Sequence, residues 1–179
     1  MTFHPTEILT IRKNVRVNSE ESWFSRKMSA THPTKIAVVN GPNLNWLGQR
    51  EPEIYGSTTL EELEEWIIDE GKKLELEVTC FQSNSEGTLL EFFYQFKQGG
   101  GEAIILNAGA FTHTSVALRD CLAGIALPAI EVHISNIYKR EEFRKNSYTA
   151  PACIGVITGL GIDGYRYALE YLAKLHLAD

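Results

Sequence analysis

Short apolar runs alternate with segments of helical period from Lys35 onward, and this alternation limits the fold more than any other feature of the sequence. Strands that alternate with helices are joined by right-handed crossovers, and the sheet they form is parallel and covered on both faces. The pattern therefore predicts an α/β fold with one parallel sheet. The runs with the length and residue types of strands are KIAVVN (35–40), LEVTCFQ (76–82), EAIILNAG (102–109), PAIEVHIS (128–135) and ACIGVIT (152–158).

The helices between these strands are predicted from capping residues and apolar spacing. Thr58 and Glu61 form a capping-box pair before the first helix, and Ser83 and Glu86 form another before the second. A third helix is predicted over about 113–124. The last helix carries one apolar stripe, made of Tyr165, Leu169, Leu172 and Leu175.

The number of strands and the length of the chain narrow the fold class. Five strands within residues 35–179 fit a flavodoxin-like three-layer sandwich, and we expect the strand order 2-1-3-4-5. Residues 35–179 are predicted to form a single domain. Residues 1–34 show no sustained period and are predicted to be a disordered N-terminal extension. In such sheets ligands bind beyond the carboxyl ends of the strands, so the segments that follow the strands are the candidate site.

Composition limits the classes of partner. The net charge of -6 argues against nucleic acid, because binding phosphates requires clustered Lys and Arg. No apolar run reaches the ~18 residues that a membrane span requires. Cys80, Cys121 and Cys153 are odd in number and widely spaced, which indicates buried, reduced thiols. The histidines lack the spacing of metal ligands, so we expect no metal. These features favour a cytoplasmic protein with a small-molecule ligand.

The segment after the first strand, NGPNLNWLGQREPEIYG (40–56), is long and rich in Gly, Pro and Asn. Connections of this length are uncommon unless they bind ligands or close over them. Asn43, Arg50 and Tyr55 lie in it. Taken singly, they are most simply a turn residue, a surface charge and a packing aromatic. Their shared place at a strand's carboxyl end favours a functional role.

Polar residues also follow the third and fourth strands. Asn107 lies at the end of the third, and His113 is predicted in the first turn of the next helix, where backbone N–H groups favour anions. Alternation in the fourth strand places Glu131 and His133 on one face. A carboxylate beside a histidine can orient the ring and favour its protonated form, as a general acid requires. A core histidine satisfied by its neighbour explains the pair equally well.

The residues after the fourth strand add donors and positive charge. Ile134 and Ser135 offer backbone N–H groups. Arg140 and Arg144, four positions apart, are predicted to share a helix face, which is either a solvated charged surface or an anion clamp. GLGIDG (159–164) matches a dinucleotide fingerprint, but no second strand with an acidic residue follows it. We therefore interpret this segment as a tight turn.

Several of these segments together resemble one family. NGPNLNWLGQREPEIYG, FQSNSEG, ILNAGAFTHTSVALRD, EVHISNIYKREEFR and GLGIDGY are similar, in the usual order, to the motifs of type II 3-dehydroquinate dehydratases. The resemblance covers about Lys35 to Leu175; at Trp46 these enzymes often carry another apolar residue. It implies a dodecamer built from trimers that converts 3-dehydroquinate to 3-dehydroshikimate and water without a cofactor, in aromatic biosynthesis or quinate breakdown. The main alternative is a flavodoxin-like binding or regulatory domain without catalysis.

The resemblance also implies roles for individual residues. Tyr55 would be the base, Arg50 would activate it, His133 would be the acid, and Asn43 would hold a water that stabilises an enolate. Glu131 and Arg140 would support the site. The substrate-binding residues would be Asn107, His113, Asp120, Ile134, Ser135 and Arg144.

Overall fold

A computed structural model of the protein describes residues 33–49 and 57–176. The predicted extension, apart from residues 33 and 34, lies outside the described residues. So do the proposed base Tyr55 and its activator Arg50. Within the described ranges, no helix is long and apolar enough to cross a lipid bilayer.

The sheet has five parallel strands in the order β2-β1-β3-β4-β5, which confirms the prediction. The last three strands are shorter than their apolar runs, because the flanking residues leave the ladder. Ala150–Ala152, for example, forms a 3-10 turn that contains Pro151. The strands are β1 (Thr34–Asn40), β2 (Leu76–Gln82), β3 (Ala103–Asn107), β4 (Ala129–His133) and β5 (Gly155–Thr158).

Helices cover both faces of the sheet and complete the predicted three layers. They are α1 (Leu60–Lys73), α2 (Glu86–Gln98), α3 (Val116–Ile125) and α4 (Asp163–His176). Alternate residues of β1 divide between two cores: Ile36 and Val38 pack with α1 and α4, whereas Ala37 and Val39 pack with α2 and α3. The predicted stripe of α4 supplies buried Tyr165 to the first core. Period-two and period-3.6 patterns thus bury the faces that they predict.

Both predicted capping boxes are displaced. The first is formed by Thr59 and Glu62: the Thr59 hydroxyl accepts from the Glu62 N–H at 3.2 Å, and the Glu62 carboxylate accepts from the Thr59 N–H at 2.9 Å. The second helix is capped by Ser85, not Ser83, because the Ser83 hydroxyl accepts from the Ser85 N–H at 3.0 Å and forms the preceding turn. Neighbouring Ser and Thr residues compete for one cap, so the pattern alone does not choose between them.

Two other helical predictions are wrong. Residues Gly109–His113 form a 3-10 helix, and α3 begins only after its cap Ser115, so His113 and Asp120 do not lie on one helix. The segment after β4 forms two separate 3-10 turns, Ile137–Lys139 and Glu142–Lys145. Arg140 and Arg144 therefore do not share a helix face.

The three cysteines are free thiols, of which Cys121 is buried while Cys80 and Cys153 are half-buried. Burial, together with the negative charge of a nearby glutamate, raises the pKa of Cys80 and of Cys153 to about 12. Thiols with such a pKa stay protonated at neutral pH and are poor nucleophiles. Their behaviour is that of small packing residues.

Gly41, which follows β1, lies where the backbones of two segments nearly touch. A Cβ at this position would lie 2.4 Å from the carbonyl oxygen of Ala108, while the Gly41 N–H donates to the carbonyl of Asn107 at 2.8 Å. We expect Gly41→Ala to lower the free energy of unfolding by about 1–3 kcal/mol, since the strand ends must separate. Gly124→Ala is the matched control. Gly124 lies in α3 with no atom within 4 Å of an added Cβ, so the melting temperature of the Gly124→Ala protein should stay unchanged or rise.

Candidate active site

A cavity of about 120 Å³ opens beyond the carboxyl ends of β1, β3 and β4. This is the place predicted for a ligand in a parallel sheet of this kind. Leu44, Trp46 and Leu47 form an apolar part of the lining, and of these the sequence analysis noted only Trp46. The predicted site residues that line the cavity are Asn43, Asn107, His113, His133, Ile134, Ser135, Arg140 and Arg144.

The loop after β1 is anchored so that Asn43 faces this cavity. Leu44 and Leu47 are buried in the first core and hold the 3-10 turn Leu44–Trp46 against the sheet. Asn43 has a left-handed φ of 67°, a conformation that asparagine tolerates better than most residues. Its N–H donates to the side-chain oxygen of Asn84 at 2.8 Å. The packing of the loop therefore fixes the position of Asn43 at the cavity.

A buried hydroxyl holds the amide of Asn107. The Asn107 side chain donates to the Tyr165 oxygen at 2.8 Å, and the Tyr165 hydroxyl donates to the side-chain oxygen of Asn40, also at 2.8 Å. Complete burial raises the pKa of Tyr165 above its ordinary value, so the phenol stays protonated and remains a donor. The apolar stripe predicted Tyr165 only as a core residue. Its polar contacts could not be read from the sequence, because its partners lie 58 and 125 positions away.

His113 is held by a backbone carbonyl. Its Nδ1 lies 2.8 Å from the carbonyl oxygen of Asn146, which can only accept, so Nδ1 carries the proton. Partial burial, and the nearby positive charge of Arg144, hold the pKa of His113 below its ordinary value. The ring is therefore neutral at neutral pH, and its Nε2 is free of a proton.

Glu131 and His133 form a buried pair, as the alternation in β4 predicts. Glu131 is 0% exposed, and its carboxylate lies 2.8 Å from Nε2 of His133. The rings of His133 and His113 lie almost parallel, with centroids 6.5 Å apart. Burial by itself raises the pKa of Glu131, but hydrogen bonds from His133 and from two hydroxyl groups outweigh burial and hold this pKa below its usual range. An ionised carboxylate therefore lies behind the histidine at neutral pH.

The two hydroxyl groups belong to Ser147 and Thr149, which the sequence analysis missed. The Ser147 hydroxyl lies 2.9 and 3.0 Å from the two oxygens of Glu131, and Thr149 donates to one of them. They lie 16 and 18 positions after Glu131, in a turn with no motif of its own.

Arg140 and Arg144 line the cavity although no helix joins them. Their Nε atoms lie 3.5 and 2.9 Å from the same oxygen of Glu141, and both side chains are largely covered. Covered, fixed guanidinium groups at a cavity wall suit an anion clamp better than a solvated surface.

The GLGIDG segment fixes the end of β4. The N–H groups of Gly159 and Gly161 donate to the carbonyls of His133 and Ile134 at 3.1 and 3.0 Å. Both glycines have positive φ, 85° and 62°, which a tight turn requires. The turn holds these carbonyls against the sheet and so fixes the backbone that leads to Ser135.

Asp120 is not brought to this cavity. It lies exposed on α3, and among the residues that the structure describes it does not contribute to the lining. Arg50 and Tyr55 fall between the two described ranges. The roles assigned to these three residues, and to the residues that line the cavity, stay predictions.

Comparisons with known proteins agree with the geometry. The dehydroquinase class II family model matches residues 34–173. The 3-dehydroquinate dehydratase of Gloeothece citriformis is 54% identical over 144 residues, covering 78% of this chain and 94% of that protein. The enzyme of the same name from Deinococcus radiodurans is 54% identical over 140 residues, covering 78% and 98%.

Solved structures show the same similarity. The type II dehydroquinase from Propionibacterium acnes aligns with a TM-score of 0.76 at 41% identity, over 80% of this chain and 99% of that one. The type II dehydroquinase from Butyrivibrio crossotus aligns with a TM-score of 0.77 at 46% identity, over 78% and 97%. The flavodoxin-like sheet, the strand-end cavity and these matches lead to one conclusion: the chain belongs to the class II dehydroquinase family.

Proposed function

We propose that this protein is a hydro-lyase that converts 3-dehydroquinate to 3-dehydroshikimate and water. The observation that carries the proposal is the buried Glu131–His133 pair at a cavity whose wall also holds Arg140 and Arg144. This arrangement offers a proton donor and positive charge to a small anionic substrate. Relatives with the matching name cover the same part of the chain.

The proposed reaction is a trans elimination through an enolate. Tyr55 removes a proton from the carbon next to the ketone, and the electrons of the C–H bond move into the enolate. When the enolate collapses, the C–O bond breaks and a C=C bond forms. The leaving hydroxide takes a proton from His133 and departs as water. Nε2 of His133 donates to Glu131, so Nδ1 of His133 is the atom that would deliver this proton.

The reaction passes through two anions, the phenolate of Tyr55 and the enolate of the substrate. Positive charge stabilises the first, and hydrogen bonds stabilise the second. A free tyrosine has a pKa of ~10, so Tyr55 acts as a base only if a cation such as Arg50 favours its phenolate. Asn43 holds a water against the enolate oxygen, which is stabilisation of charge that develops during the reaction. The N–H groups of Ile134 and Ser135 bind the substrate. Asn107, His113, Asp120 and Arg144 bind the remaining groups, and Arg140 supports them.

The assembly and the biological setting belong to the same proposal. A homododecamer built from trimers would bring Asp120 of one subunit to the site of another, in agreement with its exposed position on α3. Residues 35–179 would form the single catalytic domain. A cytoplasmic location, and a role in aromatic biosynthesis or in quinate breakdown, stay predictions.

The direct test is ultraviolet detection of the conjugated enone formed from 3-dehydroquinate by purified protein. We expect turnover without added metal or cofactor, and unchanged turnover after dialysis against a chelator. A protein that binds 3-dehydroquinate but forms no enone would instead support the non-catalytic binding domain. Visible absorbance of a bound flavin would support that alternative as well.

A further inference from the structure

We propose that Ser147 and Thr149 are positioning residues whose hydroxyls keep the proton of the buried pair on His133 rather than on Glu131. The kinetic part of this inference rests on the proposed function, in which His133 is the acid. The structural part concerns only where a proton resides in the folded protein.

The hydroxyls complete the coordination of a carboxylate that no solvent reaches. Glu131 and Thr149 are each 0% exposed. One carboxylate oxygen accepts from His133 at 2.8 Å and the other accepts from Thr149, while the single hydrogen of the Ser147 hydroxyl is shared between the two oxygens, which lie 2.9 and 3.0 Å from it. Without the hydroxyls, the second oxygen would lack the donors that the structure gives it.

The direction of these hydrogen bonds is fixed by chemistry. A hydroxyl has one hydrogen to donate, whereas an ionised carboxylate can only accept. The Ser147 oxygen accepts from the N–H of Ala150 at 2.9 Å, which leaves its hydrogen for Glu131. Both hydroxyls therefore donate to Glu131, and donors of this kind stabilise the ionised carboxylate over the protonated one.

The preference for an ionised Glu131 decides which member of the pair carries the proton. Burial of two charges is costly, so an isolated Glu–His pair in the core would lower its energy by moving the proton to the carboxyl and becoming neutral. Two donors on Glu131 oppose that transfer and favour a protonated His133. A protonated ring is the form that a general acid needs.

The segment that carries the hydroxyls also holds the other groups around the pair. The Asn146 carbonyl holds His113, and the Tyr148 N–H donates to the Thr112 carbonyl at 2.8 Å. Within the described part of the chain, the ring of His113 and the half-buried thiol of Cys153 lie near the pair, and Arg140 and Arg144 line the same cavity as His133. His113 is neutral and Cys153 stays protonated, so of these four residues only the two arginines carry charge at neutral pH.

The test compares Thr149→Val and Ser147→Ala with a matched control. Thr112→Val is the control, because Thr112 is equally buried and, among the described residues, its hydroxyl has no hydrogen-bond partner. Its backbone carbonyl, which accepts from Tyr148, is unchanged by the substitution. Thr149→Ser restores a hydroxyl and serves as the rescue variant.

We expect Thr149→Val to lower kcat about 10-fold, part of the ~100-fold or more that a general acid contributes. KM should change little. Ser147→Ala should also lower kcat, Thr149→Ser should restore most of the loss, and Thr112→Val should match the wild type.

Solid-state ¹⁵N NMR of protein labelled in the histidine rings tests the proton position without reference to activity. The signal of His133, assigned with His133→Gln, should report a doubly protonated ring in the wild type and a singly protonated ring in Thr149→Val at the same pH. A wild type without dehydratase activity but with these spectra would refute the proposed function and leave the positioning role intact. Identical His133 spectra in folded wild type and Thr149→Val would overturn the inference.

Discussion

Replacement of His133 by alanine is expected to lower kcat at least ~100-fold while the substrate still binds, because a general acid contributes about that factor or more. The residue is 5% exposed and its ring lies against an ionised Glu131, so no solvent species can easily replace it as proton donor. The loss should therefore fall on kcat and not on substrate affinity. Enone formation measures the first quantity, and calorimetric titration with a non-reacting substrate analogue measures the second.

A second variant separates loss of the acid from loss of folding. His133→Ala leaves a buried carboxylate with one hydrogen-bond donor fewer, so its melting temperature should fall. His133→Gln can still donate to Glu131 but cannot supply a proton to hydroxide. It should have a melting temperature closer to the wild type and the same low kcat. Turnover near the wild-type rate in either variant would contradict the assignment of His133 as the acid.

Mixed oligomers of two inactive variants, Asp120→Asn and Tyr55→Phe, are expected to recover part of the wild-type activity. Asp120 is exposed on α3 and lies outside the cavity lining of its own subunit, as far as the described residues show. If it completes a neighbour's site, some sites in a mixture hold Tyr55 from one subunit and Asp120 from another. Random mixing would give roughly a quarter of the sites both native residues. Loss of an interfacial carboxylate that orients an arginine costs ~2–5 kcal/mol, and Tyr55→Phe removes the proposed base, so each variant alone should be nearly inactive.

The mixture is best made by co-expression with two different affinity tags and purification over both. A pairing of Tyr55→Phe with His133→Ala is the control, because both residues are proposed to serve the site of their own subunit and mixing cannot reunite them. Recovery in the first mixture but not in the second would support a shared site. Doubly tagged Asp120→Asn and Tyr55→Phe oligomers that stay inactive would show that each subunit builds its site alone.

Patterns among residues that are close in sequence predicted the sheet and the closeness of the Glu131 and His133 side chains. β-branched runs such as KIAVVN predicted the strands, and the alternation of apolar runs with helical segments predicted their parallel order. Period-two alternation placed Glu131 and His133 on one face, and the structure shows the two side chains 2.8 Å apart. These predictions succeed because strand and helix geometry fixes the direction of side chains a few positions apart.

The tertiary structure alone decided how those groups are held. Tyr165 was predicted as a core residue, yet its hydroxyl accepts from Asn107 and donates to Asn40, which lie 58 and 125 positions from it in the sequence. Ser147 and Thr149 belong to no motif and reach Glu131 only because the chain folds back over β4. The N-cap residues of α1 and α2 lie one and two positions after the predicted ones, because adjacent hydroxyls competed for the same cap. Local residue patterns encode the direction of a side chain, whereas the partner of a buried polar group depends on which distant segment packs against it, and only the folded chain determines that.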